Sequence, residues 1–324
     1  MVMREGLRAG TPTHPDQNLA RKGSFRSLRC VNSACFSMGF CFGVVGCGYV
    51  GSAVAAHLRG LGNEITGTVT NPARLGELCE LVDHPRIYKA GQSGSDPAFL
   101  DHLDGLLISM APSGSSFDES EYRSVFAAGV SDLIQAVQQR RRQSPLHITY
   151  LSSAGVYGDQ GGAICHEQTP PDEDSPINAL LLEAERSVLS LNSDVIQACV
   201  LRLGGIYGPG QDIASFIRSA SGNLVAKNGS HINAWIHRDD IVRGVEFAFS
   251  QRLKGVFNLV DDLQLSRREL SNALCDEEGL APVIWENHDR PGARVFNARV
   301  SNSRLRQMGF TPLISSMLES LPVG

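Results

Sequence analysis

Apolar and polar positions along this chain fall into two rhythms that take turns. Short apolar runs occupy residues 40–45, 64–70, 86–90, 105–110, 147–151, 195–203 and 255–260. Runs of this length with little polar alternation read as strands buried on both faces of a parallel sheet, 105–110 most plainly. Between them lie stretches with apolar residues three and four apart. Ser52 to Leu58 is one. Arg74, Leu75, Leu78 and Leu81 mark a short second one, after the break at Asn71-Pro72. Val125, Ala128, Leu133 and Val137 form the apolar stripe of a helix over 119–139, and another helix covers 178–191. Strands alternating with helices predict an α/β fold built on a doubly wound parallel sheet.

The first run ends in Gly46, Gly48 and Gly51, spaced GxGxxG, and the amphipathic stretch opens at once. This is the strand, glycine turn and helix of a dinucleotide site. Gly46 allows the tight turn, Gly48 lets backbone approach a pyrophosphate, and Gly51 lets helix pack on strand. The helix N-terminus adds free N–H groups and the positive end of its dipole. The predicted architecture is therefore a Rossmann domain over 39–203. Segments of 204–324 supply a small C-terminal substrate lobe, and the late strand at 255–260 returns to the sheet. The expected cofactor contacts begin with Gly46, Cys47, Gly48, Tyr49, Val50 and Gly51. Ser109, Met110 and Ala111 follow from the end of the fourth strand, and Leu203, Gly204 and Gly205 from the end of the sixth. Gly204 and Gly205 are expected to relieve crowding near a nicotinamide.

An NAD site usually carries a carboxylate about 20 residues beyond the glycines, on the ribose 2′-hydroxyl. Here the region reads Thr68, Val69, Thr70, Asn71, and Arg74 follows. A guanidinium suits a 2′-phosphate, so NADP is favoured, with NAD as the alternative and Thr70 as a lesser contact. The competing reading of Arg74 is a solvated helix charge.

Composition narrows the partners. The 324 residues are 42% hydrophobic and 19% charged, with a formal net charge of −5. No basic field invites nucleic acid. No apolar run reaches the roughly 20 residues of a membrane span; the longest, near 36–45, is broken by Gly39 and Gly43. Eight cysteines at irregular spacing, with no CxxC pair, fit a reducing compartment, and Cys47 reads chiefly as a small residue that fits the turn. No His/Cys/Asp cluster has metal-ligand spacing, and neither GxSxG nor GxxxxGK[ST] occurs. Residues 1–38 stand apart, with Arg4, Arg8, Arg21, Lys22, Arg26 and Arg29 against Glu5 and Asp16. They read as an organellar transit peptide, a disordered tail, or an upstream extension before a start at Met38. The location expected is cytoplasmic, or the plastid stroma if the leader is a transit peptide.

Two further motifs carry a family resemblance. Residues 151–159 read LSSAGVYGD and residues 201–210 read LRLGGIYGPG. With IHRDDIV at 236–242 and NARVSN at 297–302, they resemble the extended short-chain dehydrogenase/reductase superfamily. The likeness runs from about 42 to about 312. In detail it is similar to the atypical YeeZ-like branch, its cyanobacterial and plastid members in particular. The resemblance implies that Ser153 bonds the reacting oxygen. The family's YxxxK proton shuttle is missing: its Tyr should fall near Ile177 or Asn178 and its Lys near Leu181 or Leu182. Tyr157 is the best substitute phenol, with a wall or packing role as its alternative. His166, Glu167, His237 and Asp240 are other acid–base candidates. His237 also reads as a structural hydrogen-bonder, Asp239 and Asp240 as caps of a helix from Ile241, and Trp235 as lobe lining or core. The function expected is an NADP-dependent oxidoreductase or epimerase/dehydratase acting on a small polar, sugar-like molecule. The alternative is a cofactor-binding redox sensor or assembly factor without turnover. Family analogy adds a homodimer, with the 119–139 helix as a candidate face.

Overall fold

The computed structural model describes residues 39–92, 95–112, 119–140, 142, 144–290 and 294–319. The leader over 1–38 lies outside the described residues. The first half runs β1 Cys41–Val45, α1 Tyr49–Gly60, β2 Glu64–Val69, a 3-10 turn Pro72–Arg74, α2 Leu75–Leu81, β3 His84–Ile87 and β4 Gly105–Ile108. One helical rod follows, composed of α3 Glu119–Tyr122, a π-helical stretch Arg123–Gly129 and α4 Val130–Gln138. Then come β5 Leu146–Ser153, a 3-10 turn Ala154–Tyr157, β6 Asp159–Cys165, α5 Pro176–Leu189 and β7 Ile196–Leu203. The second half contains β8 Gly205–Tyr207, α6 Ile213–Ala220, β9 Leu224–Asn228, β10 Trp235–His237, α7 Arg238–Ser250 and β11 Gly255–Leu259. It ends with α8 Arg267–Glu278, β12 Ile284–Glu286, β13 Asn297–Val300 and α9 Ser303–Gln307.

Seven strands form one parallel sheet in the order β3-β2-β1-β4-β5-β7-β11. Side chains alternate across it. Val44 joins a core shared with Val54, Leu58, Ile241 and Val245, where α1 and α7 lie. Its neighbour Val45 faces the opposite core, with Ile148 of β5, Leu133 of α4 and Leu181 and Val188 of α5. The doubly wound sheet expected from the sequence is thus present, and the order reverses between β1 and β4. In open α/β sheets ligands bind outside the carboxyl ends of the strands at such a switch point. Three small parallel pairs, β8 with β10, β9 with β12 and β6 with β13, build the C-terminal lobe and its junction with the sheet. A separate apolar cluster of Ala214, Ile217, Leu270, Leu274 and Met317 holds α6 against α8. The start of α8 carries a complete capping box between Ser266 and Glu269. No described helix is long and apolar enough to cross a membrane.

Two expectations shift. The third strand begins at His84 rather than 86, because backbone pairing of Thr66 to Val69 with His84 to Ile87 sets its place. The stripe on the 119–139 helix is also out of phase: Ala128 is exposed, while Phe126, Gly129 and Val130 are buried. The π-helical stretch adds residues to the turn, so a count of 3.6 per turn carried across it misplaces the face.

Candidate functional site at the carboxyl ends of β1, β2, β4 and β5

The glycine turn forms with a different job at each glycine. Gly46 has φ of +96°, which favours glycine, and a Cβ there would lie 2.5 Å from the Ser109 carbonyl oxygen. A Cβ on Gly51 would lie 2.1 Å from the Gly46 carbonyl oxygen, so α1 packs directly on the turn. Around Gly48 a Cβ would meet nothing within 4 Å. That open side lies at the start of α1, whose first N–H groups receive no side-chain cap. The Gly46 amide donates to Thr68 Oγ1 (3.1 Å) and the Cys47 amide to the Thr68 carbonyl (2.8 Å), fixing the turn to β2. The Cys47 side chain points inward beside Gly67, and burial pushes its thiol up to about 11. It is a packing group, and its backbone alone faces the turn. Val50 is likewise buried. Tyr49 reaches across to the loop after β8, where its hydroxyl donates to the Pro209 carbonyl (2.9 Å) under the Arg238 guanidinium.

Beyond β2 lie the polar residues of the 2′-position. Asn71 caps the 3-10 turn by accepting from the Ala73 amide (3.0 Å). Thr70 is exposed, and Arg74 is close enough to the turn to act electrostatically on Cys47. The Arg74 guanidinium is half-exposed, 3.5 Å from Glu77 on the adjoining turn. After β4, the Ser109 amide donates to the Val45 carbonyl (2.9 Å). Met110 turns onto Gly129 of the π-helical stretch, and Ala111 is exposed.

Ser153 ends β5, and its Oγ accepts from the Gly155 amide (3.0 Å), capping the following 3-10 turn. The two places expected for the family tyrosine, Ile177 and Asn178, lie in the first turn of α5; Ile177 packs partly buried against the core, and Asn178 is fully buried. Its Nδ2 donates to Asp172 Oδ2 (3.2 Å). Its Oδ1 accepts two bonds from Arg294, from Nε at 3.0 Å and Nη2 at 2.6 Å. Leu181 and Leu182, at the place of the lysine, are buried in the core. Neither Asn178 nor Arg294 stood among the expected catalytic groups. The available signal was Arg294's place three residues before the 297–302 segment.

Tyr157 does not reach this surface, which corrects the expectation of a catalytic phenol. It is fully buried, and its hydroxyl donates to Asn258 Oδ1 (2.8 Å) on β11. Burial raises its pKa despite Arg202, whose guanidinium lies 5.0 Å from the ring centre. Tyr157 belongs to a buried network. Arg202 makes a forked pair with Glu185, as close as 2.7 Å, and Ser152 donates to Glu185 at 2.6 Å. Glu167 accepts from the Asn258 amide (2.9 Å), while His166 is exposed.

A Cβ on Gly204 would lie 2.7 Å from Trp235 backbone, and one on Gly205 would lie 2.9 Å from the Trp235 ring. Both glycines therefore make room for β10, and Leu203 is buried beside them. Trp235 packs on Gly205 and lines a cavity of about 260 Å³ with Phe216, Lys227, Arg267 and Trp285. The helix expected from Ile241 begins at Arg238, and its cap is His237, which accepts from the Asp239 amide (3.2 Å). Asp240 instead accepts from the Leu313 and Ile314 amides (2.8 and 2.9 Å). Nearby, burial pushes the Asp261 carboxyl up to about 7, although it accepts from Tyr207 Oη (3.0 Å). Among the described residues no group of three or more His, Cys, Asp or Glu is placed to hold a metal.

A doubly wound parallel sheet with an open glycine turn at its switch point is the Rossmann-like fold of the extended short-chain dehydrogenases/reductases, and the comparisons place the chain among them. Residues 44–259 match the NAD dependent epimerase/dehydratase family, and the chain belongs to it. It is similar to protein YeeZ of Escherichia coli, 24% identical over 275 residues that cover 82% of this chain and 93% of that protein. It is also similar to a dTDP-glucose 4,6-dehydratase of Streptomyces griseus, 27% identical over 297 residues, 82% of this chain and 87% of that one. Among solved structures, UDP-glucuronic acid 4-epimerase of Bacillus cereus, in complex with UDP-glucuronic acid and NAD, shares the fold. Its TM-score is 0.67 at 19% identity, over 85% of this chain and 95% of that one. The likeness to YeeZ places the chain in an atypical branch of the group.

Proposed function

We propose that this protein binds NADP at the glycine turn and is an oxidoreductase or epimerase/dehydratase acting on a small, polar, sugar-like substrate without the usual proton-shuttle pair. The open side of Gly48, at an uncapped helix start, carries this reading. It is the face of the turn where a side chain would meet nothing, and uncapped N–H groups at a helix start suit an anion. Thr70 and Arg74 favour NADP, because a guanidinium and a hydroxyl complement a 2′-phosphate where NAD binders place a carboxylate. The bound nicotinamide supplies the hydride acceptor or donor. The chain's own residues hold the diphosphate on the α1 amides, and Ser153 takes the substrate oxygen at the end of β5. The sugar-like substrate class rests on the activities carried in the names of the dehydratase and epimerase relatives.

Titration of the purified protein with NADPH and NADH tests the cofactor. Arg74→Ala is expected to weaken NADPH by about tenfold or more, the worth of a charge-assisted pair, and to leave NADH unchanged. Equal loss for both cofactors, or none, overturns the NADP assignment. The buried hydroxyl of Tyr157 favours a second reading, a cofactor-binding sensor without turnover. Hydride exchange with a panel of sugar nucleotides, lost in Ser153→Ala, selects the enzyme; tight NADPH binding with no exchange selects the sensor.

A further inference from the structure

The family tyrosine is expected near Ile177 or Asn178, and the neutral amide of Asn178 is used to aim a cation. Arg294 reaches Asn178 from a segment 116 residues away in sequence. The guanidinium spends Nε and Nη2 on the one acceptor Oδ1. Among the described residues it has no carboxylate within ion-pair distance, and its Nη1 takes no hydrogen-bond partner. Most charged pairs in the molecule are built otherwise; Arg202, for instance, is matched by Glu185. A half-buried guanidinium bonded to an amide is not neutralised by a contact ion pair, as it would be by a carboxylate partner; Asp172, which accepts from the same Asn178, acts on it only from beyond ion-pair distance. Burial lowers its pKa, a sign that the site holds the charge at some expense.

Its direction is also fixed. A Cβ built on Gly155 would lie 2.6 Å from Arg294 Nη2 and 3.0 Å from Ser153 Oγ. The guanidinium and the serine hydroxyl therefore converge on one small region above the end of β5. Glycine at 155 is what lets the two approach. Tyr122 of α3 and Asp172 are the other ionisable groups that act on Arg294 electrostatically.

We infer that Arg294, aimed by Asn178 beside Ser153, is a catalytic residue that replaces the missing tyrosine–lysine pair by stabilising negative charge on the substrate oxygen at the carbon exchanging hydride. This rests on the cofactor reading above. An arginine is no proton acceptor at neutral pH, so its part is electrostatic: it favours the alkoxide over the alcohol, the hydride would pass between that carbon and C4 of the nicotinamide, and the hydroxyl proton would be exchanged with solvent water. The arrangement suits a substrate whose reacting group is a carbonyl or secondary alcohol.

Sulfite provides a test that needs no knowledge of the substrate. Its sulfur lone pair bonds to C4 of an oxidised nicotinamide, and the displaced ring electron pair moves to N1. The result is a dihydropyridine with a near-ultraviolet band and an anionic group at C4. No proton or further reagent is consumed. The protein is saturated with whichever oxidised cofactor binds, and sulfite is titrated against that band. Wild type is expected to form the adduct, and Arg294→Ala and Arg294→Gln to weaken sulfite by about tenfold or more, as loss of one charge-assisted contact requires. Arg294→Lys should retain most of the association. Cofactor affinity should stay unchanged in all three, which also reports that each variant is folded. The glutamine and lysine variants keep the reach of the side chain and carry the test if the alanine variant does not fold. Absence of the adduct in cofactor-bound wild type, or equal sulfite affinity in wild type and the neutral variants, overturns the role of Arg294. Failure of wild type to bind either cofactor overturns the reading on which it rests.

Discussion

Gly48 and Gly51 stand three residues apart, and a methyl group at each asks a different question. Gly48 has φ of −88°, ordinary for any residue, and open space where its Cβ would go. Gly48→Ala should leave thermal stability within about 0.5 kcal/mol, as for a harmless surface change, while removing cofactor binding. Gly51→Ala should instead cost about 1–3 kcal/mol, because its methyl meets backbone that cannot swing aside. Melting curves with parallel NADPH titration separate the two. A fall in stability with Gly48→Ala would mean that the open side is not open. Asp261 gives a pH signature at the same scale. An unfolded aspartate ionises near 3.8, while the folded one keeps its proton up to about 7. The folded state therefore binds more protons between these values, and this group's contribution to stability is lost as pH rises through them. Denaturant midpoints measured from pH 4 to 8 should show that decline in wild type and lose it in Asp261→Asn.

At the scale of elements, one buried ion pair joins three of them. Glu185 of α5 meets Arg202 of β7, and Ser152 of β5 donates to the same carboxylate. Removing one partner strands a charge in the core, so Glu185→Ala or Arg202→Ala should each cost about 3–5 kcal/mol in chemical denaturation. The double replacement by leucine should recover much of that loss; a double variant as unstable as the sum of the singles would argue against a stranded charge. These elements were also the legible ones. Strands β1 and β4 are nearly continuous apolar runs, so composition alone marks them; β5, β7 and β11 carry buried polar residues such as Thr149, Arg202 and Asn258 among their apolar ones and are marked by their length and by the turns around them. The pairs β6 with β13, β8 with β10 and β9 with β12 left little local trace. Each is short and half-exposed, and each exists only because a distant segment comes to lie beside it. The π-helical stretch at Arg123–Gly129 was hidden for another reason, since it breaks the periodicity by which a helix is read. The site divides the same way. Gly46, Gly48 and Gly51 announce themselves by spacing, and Ser153 by motif. Asn178 carries no local signal, and Arg294 only its place beside the 297–302 segment, because their meeting is made by the whole fold. Tyr157 looked exposed to chemistry only because its partner Asn258 is 101 residues away.

For the whole molecule the decisive connection is Asp240. This carboxylate, 1% exposed, ties α7 of the sheet layer to the segment after α9 through the amides of Leu313 and Ile314, and it pairs with Arg243. Asp240→Ala is expected to release that segment locally. Trypsin should then cut after Arg304 or Arg306 at least tenfold faster than in wild type, while the urea midpoint falls by an amount equivalent to about 2–3 kcal/mol. Unchanged protease resistance would show that the apolar contacts of Phe310 and Met317 hold the segment without help. The reach of Arg294 also has a consequence for truncation. The last strand of the central sheet ends at Leu259. A chain cut between α8 and Arg294 keeps every strand of that sheet and the whole glycine turn. It loses the guanidinium that stands beside Ser153 and the strand β13 that pairs with β6.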